Sequence, residues 1–254
     1  MIEIREVLAV VPVGEDAFIA PFTYDRGRAM DGGQLAAAAL NAALQTVPSD
    51  FDAHSVHVSF LSAGDAMKPV DLRVVRDRDG RGFCQRNVTA YQGSRLLFRM
   101  AASFQRPEAG PDVQMLQMPS APSPVDCEAF DAGVIGYHTR DPDPTHDRRR
   151  RAWVKTATPL GTDTRWNACA LLYITDMFNC LPTSLDEDEN SFQTSLDHSV
   201  WFHRPALLDD WVLMTVNSTS LASGRGWFMG EYFSLSGVHV ATSAQEMVYR
   251  LGRS

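Results

Sequence analysis

A repeat constrains this chain more than any other feature. His54-Ser55-Val56 returns as His198-Ser199-Val200, 144 residues later. Gly80-Arg81-Gly82 before Phe83 returns at the same offset as Gly224-Arg225-Gly226 before Trp227. Asp65 and Asp209, Gly93 and Gly237, and Arg106 and Arg250 share the spacing. No gap is needed from residue 54 to 106, and several identities fall at glycines suited to turns. A chain of 254 residues has room for one large domain or two small ones. The repeat selects one supersecondary unit built twice.

The two copies read alike. In the first, VDLRVVRD from Val70 alternates apolar and polar residues, as a half-buried strand does. DGRG turns, FCQRNVTAYQ predicts a second strand, Gly93-Ser94 turns again, and RLLFRMAASFQ predicts a third. The counterparts are WVLMTVNSTS, a turn at Gly224, GWFMGEYFSL, a turn at Gly237, and VHVATSAQEMVYR. A helix precedes each meander. GGQLAAAALNAAL (Gly32–Leu44) is built of strong helix formers and is apolar nearly all round, so it is expected to be buried. WNACALLYITDMFN (Trp166–Asn179) is its partner, with Asp176 inside it, and Pro48 and Pro182 follow as stops. EVLAVVPVG with DAFIAPF, and RRAWVKTATPL, are expected as the first strands. The class is α+β, each unit a long buried helix wrapped by a curved antiparallel sheet. Residues 1–106 form the first unit, 107–125 a Pro-rich linker and 126–254 the second unit.

Composition narrows the function. Hydrophobic residues at 44% and charged residues at 21% suit a folded domain with a sizeable core. No apolar run approaches the roughly 20 residues of a spanning helix. A net charge of −8 argues against binding nucleic acid, which draws on surplus Lys and Arg. One basic run, Arg148 to Arg151, stands out. Cys84, Cys127, Cys169 and Cys180 form no C-x-x-C pair, so no zinc or redox motif is supported. The start, MIEIREVLAVVPVG, does not read as a secretory signal, so a reduced, cytoplasmic protein is expected.

Ordinary catalytic motifs are absent: there is no G-x-S-x-G, no phosphate-cradling G-x-x-x-x-G-K and no H-E-x-x-H. Asp176 is the unusual residue, because a carboxylate in a buried helix must be hydrogen bonded, open to a pocket or protonated. It reads either as an acid at an exposed helix end or as a general base. Gln245 and Glu246 interrupt an apolar strand, and alternation turns one of them inward. Thr194 and Ser195 precede the second His-Ser-Val strand and read as local backbone partners or as site hydroxyls. His54, His57, His198 and His203 lie at the two equivalent strands. No carboxylate completes a metal set with them, so they read as packed or hydrogen-bonded residues.

Longer strings carry a resemblance. GGQLAAAAL, HSVHVSFLSAGD, DRDGRGF and MAASFQRPEAG in the first copy, and LLYITDMFN, SLDHSVWFHRP, SGRGWF and ATSAQE in the second, are similar to the type II acyl-CoA thioesterases. D-H-S-x-W-F-H-R-P is characteristic of that family. The resemblance implies a double hotdog fold and hydrolysis of fatty acyl-CoA to a fatty acid and coenzyme A. It also implies a water held by an Asp on the second helix, a Ser or Thr before the D-H-S strand, and a Gln in the last strand. These are Asp176, Ser195 and Gln245, with Thr194 the alternative hydroxyl. Such a water needs orientation and modest base assistance, because a thiolate leaves readily. Developing charge on the carbonyl oxygen needs donors, and Gly32 and Gly33 at a helix N-terminus are candidates.

Gly32, Gly33, His57, Phe60 and Trp201 are the expected substrate contacts. Phe60, Leu61, Trp201 and Phe202 read either as tunnel lining or as plain core. Arg148–Arg151 could meet coenzyme A phosphates or form a solvated loop. No metal or other cofactor is implied, and the resemblance implies a homodimer or larger homo-oligomer. A non-catalytic acyl-CoA binding protein and a hotdog hydratase or dehydratase remain the alternatives. At the 144-residue offset the counterpart of Gln245 is Ala101, so one active site per chain is expected.

Overall fold

The computed structural model describes residues 3–21, 30–131, 137–140, 149–177 and 192–250. Two helices form its centre. The first long helix, α2, spans Gly32–Leu44 as expected, after a short α1 at Ile4–Val7. The Asp31 side chain caps it by accepting from Gln34 N at 2.9 Å. Every residue from Gly33 to Leu44 is buried. The second, α3, spans Thr164–Thr175 and starts two residues before the expected Trp166, because Asp163 accepts from Arg165 N and Trp166 N. It ends before the expected Asn179. Asp176 is its C-cap and therefore sits at the helix end, not inside the helix. Pro182 and Cys180 lie outside the described residues.

The helices run antiparallel. Arg165, at the start of α3, donates from Nη1 to Leu44 O (3.0 Å) and from Nη2 to Pro48 O, at the end of α2. Asp176, at the end of α3, meets Gly32 and Gly33 at the start of α2.

Among the described residues, thirteen antiparallel strands form one sheet around them. The first half holds β1 (Val11–Gly14), β2 (Ala17–Ala20), β3 (Asp52–Phe60), β4 (Val70–Asp79), β5 (Phe83–Gln92) and β6 (Arg95–Gln105). The second holds β7 (Glu128–Asp131), β8 (Tyr137–Arg140), β9 (Arg149–Lys155), β10 (Phe192–Phe202), β11 (Val212–Ala222), β12 (Arg225–Ser234) and β13 (His239–Arg250). The order is β1-β2-β4-β5-β6-β3-β10-β13-β12-β11-β9-β8-β7. The repeat meets itself at the centre, where Val56 on β3 pairs with Val200 on β10. Both valines are fully buried.

The N-terminus departs from expectation. EVLAVV alternates like a strand, but its first part is α1 and strand begins only at Val11. The cause lies in α2, whose buried Gln34 and Asn41 amides donate to Val7 O (3.1 Å) and Leu8 O (2.8 Å). Those carbonyls would otherwise go to a strand neighbour, while Ile4, Val7 and Leu8 pack into the core. Residues 106–123 carry no helix or strand. None of the helices among the described residues is long and apolar enough to cross a membrane.

Candidate active site

Asp176, Ser195 and Gln245 come together at the junction of α3, β10, β13 and the N-terminus of α2. Gln245 Nε2 donates to Asp176 Oδ1 at 2.6 Å and to Ser195 Oγ at 2.7 Å. Ser195 Oγ donates to Asp176 Oδ1 at 3.3 Å. Gln245 is buried on the inner face of β13, as alternation requires of one member of the Gln245-Glu246 pair.

Ser195 faces inward because of a β-bulge. The β10–β13 register slips between Ser195 and Asp197, which leaves Leu196 as the extra residue. Ser195 and His198 are three apart, so an unbroken strand would point them to opposite faces. The bulge restores them to one face. Thr194 is exposed on the other face.

The two glycines are required by closeness. A Cβ built on Gly32 would stand 2.9 Å from Asp176 Oδ2 and 2.9 Å from Phe60 Cε1. On Gly33 it would stand 2.8 Å from Tyr173 O and 3.0 Å from Asp176 Cβ. Gly32, Gly33 and Phe60 thus lie close around the Asp176 carboxyl. The Gly33 backbone N–H at the α2 N-terminus faces the carboxylate.

The electrostatics favour a proton on Asp176. The residue keeps partial exposure, but its carboxyl is enclosed between the helices. Desolvation pushes its pKa up to about 7, and the nearby Asp31 carboxylate adds to the rise. Hydrogen bonds from Gln245, Ser195 and the Gly33 N–H oppose it. A carboxyl poised near neutrality can take a proton from water.

Sequence reasoning missed three neighbours. Thr175 Oγ1 lies 2.7 Å from His198 Nε2, and both residues are buried. Tyr232 OH lies 2.9 Å from Ser243 Oγ; burial raises its pKa, and Asp176 adds to that. The signal for Tyr232 was Gly230, where an added Cβ would fall 2.6 Å from both Tyr232 OH and Ser243 Oγ.

Other expected contacts lie elsewhere. His57 and Trp201 point away from the helices, because they alternate with the buried Val56, Val58 and Val200. They pack edge to face, with centroids 5.4 Å apart, and His57 Nδ1 lies 3.0 Å from Ser199 Oγ. Neither reaches Asp176, and Leu61 is 50% exposed. Phe202 lines a separate cavity of about 390 Å³ with His54, Thr164, Leu171 and Arg204, away from Asp176. His54 and His203 are hydrogen bonded to Ser103 and Thr242. No cluster of three or more His, Cys, Asp or Glu suited to a metal occurs among the described residues. In the basic run, Arg148 lies outside the described residues. Arg149 to Arg151 lie on β9, not in a loop, and Arg151 Nη1 donates to Ser120 O.

The counterpart of Gln245 also needs correction. Gln245 pairs with Phe228, the counterpart of Cys84, and Cys84 pairs with Phe104. The β5–β6 hairpin reaches further than β12–β13, so the 144-residue offset fails in the last strand. The matching residue is the buried Phe104, whereas Ala101 is exposed on the outer face.

Comparison with known proteins agrees with this architecture. Residues 23–105 match the family model described as the acyl-CoA thioesterase N-terminal domain, and residues 101–249 match the C-terminal domain. The chain is 32% identical to acyl-CoA thioesterase 2 of Haemophilus influenzae, over 88% of each chain. It is 30% identical to human acyl-coenzyme A thioesterase 8, over 98% of this chain and 89% of that one. Among solved structures, an acyl-CoA thioesterase II from Mycobacterium marinum superposes with a TM-score of 0.84 at 30% identity, covering 98% of each chain. A hot dog fold protein from Alicyclobacillus acidocaldarius, at 20% identity and a TM-score of 0.80, shares the fold.

Proposed function

Because the chain belongs to the acyl-CoA thioesterase II family, we propose that it hydrolyses fatty acyl-CoA to a free fatty acid and coenzyme A at the Asp176–Ser195–Gln245 cluster. The observation that carries this site is the mutual hydrogen bonding of the three side chains against the N-terminus of α2. Asp176 takes a proton from water. Ser195, itself held by the Gln245 amide, fixes that water's direction, which removes orientational entropy from the barrier. The hydroxide oxygen bonds to the thioester carbonyl carbon. The carbonyl oxygen gains negative charge, and the α2 N-terminus offers it backbone donors and a positive dipole end. The carbonyl re-forms as the C–S bond breaks, the leaving thiolate takes the proton from Asp176 and restores the carboxylate, and no covalent acyl-enzyme forms.

A cytoplasmic location and a homodimer or larger assembly belong to the same reading. Free thiols at Cys84 and Cys169 support a reducing compartment. Trp201, 38% exposed beside His57 on the outer sheet face, supports contact with a second copy. The unit boundaries at residues 106 and 126 are proposed on the strand-free stretch between β6 and β7.

The test is thiol release from a panel of acyl-CoAs by the full chain and by Asp176→Asn. Wild type should release thiol, and the variant should lose about 10²–10⁴-fold in kcat. Hydrolysis undiminished in the variant would sink the mechanism. Binding without turnover in the wild type would indicate a binding protein, and loss of enoyl absorbance without thiol release a hydratase.

A further inference from the structure

His198 occupies a place that the proposed reaction leaves unused. It is fully buried and pairs across the β10–β13 ladder with Gln245. Its Nε2 lies 2.7 Å from Thr175 Oγ1. Its Nδ1 is buried with no hydrogen-bond partner, and so is Gln245 Oε1. Both protons of the Gln245 amide are engaged, by Asp176 and Ser195. The amide nitrogen thus has its partners while its carbonyl has none.

The histidine tautomer decides whether these two orphans can satisfy each other. Thr175 has one hydroxyl proton and two acceptors in reach, Leu172 O at 2.8 Å and His198 Nε2. If the proton goes to Leu172 O, Nε2 must carry a hydrogen and Nδ1 is a bare lone pair. Two buried acceptors then face one another, each bearing the full cost of desolvation. If it goes to Nε2, Nδ1 carries the hydrogen and can donate to Gln245 Oε1. The loss falls on a helix carbonyl, the group for which under-satisfaction costs least.

We propose that His198 is a positioning residue: as the Nδ1–H tautomer, oriented by Thr175, it donates to Gln245 Oε1 and fixes the amide so that its NH₂ faces Asp176 and Ser195. The two atoms stop short of a hydrogen bond in this structure. Even so, the Gln245 side chain raises the imidazole pKa against the stronger effect of burial, which brings it down to about 4. The imidazole is therefore neutral across the working range. A free carboxamide can turn over and present its carbonyl to Asp176, which repels the carboxylate and loses the water's direction. The histidine prevents that inversion. The inference deepens the proposed hydrolase site and rests on that reading for its kinetic consequence, although the tautomer stands alone.

Two measurements test it. The full chain with ¹⁵N-labelled histidine is examined by NMR, and the His198 signals are identified by their loss in His198→Asn. The expected result is a neutral ring with its proton on Nδ1. A proton on Nε2, or an imidazolium near neutral pH, would overturn the proposal whatever the activity. Kinetics then read the role. His198→Leu, shown to be folded by its melting curve, should lose about tenfold or more in kcat with KM within about twofold, the scale of a lost orienting hydrogen bond. His198→Asn, which keeps a side-chain N–H near the Nδ1 position, should stay within about threefold of wild type. A folded His198→Leu with full kcat, or His198→Asn as impaired as His198→Leu, would overturn it. Failure of the hydrolase reading shows separately, as Asp176→Asn retaining activity while the tautomer is as expected.

Discussion

The two ends of the helix pair are the same place built twice, and they have opposite chemistry. Aligning α2 and α3 by their capping residues, Asp31 and Asp163, sets Gly32 and Gly33 against Thr164 and Arg165, and Leu44 against Asp176. The strands set Phe51 against Ser195 and Phe104 against Gln245. At one end, therefore, Asp176, Ser195 and Gln245 gather before a helix start that carries no side chains. At the other, the equivalent positions are Leu44, Phe51 and Phe104, all nearly fully buried. Arg165 stands where Gly33 would be and donates to Leu44 O and Pro48 O. A duplicated fold needs symmetry only where the halves meet, at Val56 and Val200. Away from that seam each copy is free to specialise, and here one gathers polar side chains while the other gathers apolar ones beside a guanidinium.

The largest expected effects come from exchanging the two ends. Leu44→Asp should put a carboxylate among Phe51, Phe104 and helix C-terminal carbonyls, where the nearby Arg165 guanidinium is already turned to the Leu44 and Pro48 carbonyls. We expect a loss of at least about 3 kcal/mol, read by denaturant melts, and no second activity. Asp176→Asn should act in the opposite sense on stability. The folded pKa of about 7 lies above the unfolded value, so the native state holds a proton that the unfolded chain has released. Stability from this group is present below about pH 4 and lost as pH rises through 7. Above pH 7 the ionised carboxylate then costs at most roughly 4 kcal/mol, less whatever its partial exposure screens. Asp176→Asn should raise the melting temperature at pH 8 and leave it nearly unchanged at pH 4. In the wild type, kcat should fall tenfold per pH unit below about 7, the limb of a base that must be ionised. A flat profile from pH 5 to 8 would remove Asp176 as the base.

The sequence displayed the helices, the meanders and two of the candidate site residues because each has a local signature, while Ser195 came only with the family resemblance. Gly32–Leu44 is written in helix formers, and turn glycines punctuate the strands. Asp176 and Gln245 are polar residues in apolar runs. What it concealed depends on register. The bulge at Leu196 that turns Ser195 inward has no composition of its own, and the longer β5–β6 hairpin displaces the counterpart of Gln245 from Ala101 to Phe104. The outward direction of His57 and Trp201 follows from β3–β10 pairing, which strand periodicity alone does not phase. Nothing in the sequence around Arg165 marks it as special. Only the antiparallel approach of α2 and α3 brings it to the Leu44 and Pro48 carbonyls.

Arg165 sharpens the comparison at intermediate size. Arg165→Ala leaves the Leu44 and Pro48 carbonyls without their charged donor. It should lower stability by about 1–3 kcal/mol in thermal or urea melts while kcat for thiol release stays at the wild-type value. A change in kcat greater than the change in folded fraction would mean that the two ends communicate through the helix pair.

The smallest effects test the hydroxyl. Ser195 reaches Asp176 at 3.3 Å and receives the Gln245 amide at 2.7 Å, whereas Thr194 is exposed on the opposite face. Ser195→Ala removes one orienting hydrogen bond and leaves the base in place. Its expected cost is about tenfold in kcat at pH 8. Ser195→Thr keeps the hydroxyl and adds one methyl on a strand that favours β-branched residues, so it should stay within about threefold. Thr194→Val should be silent, because its side chain faces away from Asp176. If Thr194→Val loses activity and Ser195→Ala does not, the bulge lies one residue from Leu196. The polar end would then be assembled from a different face of β10.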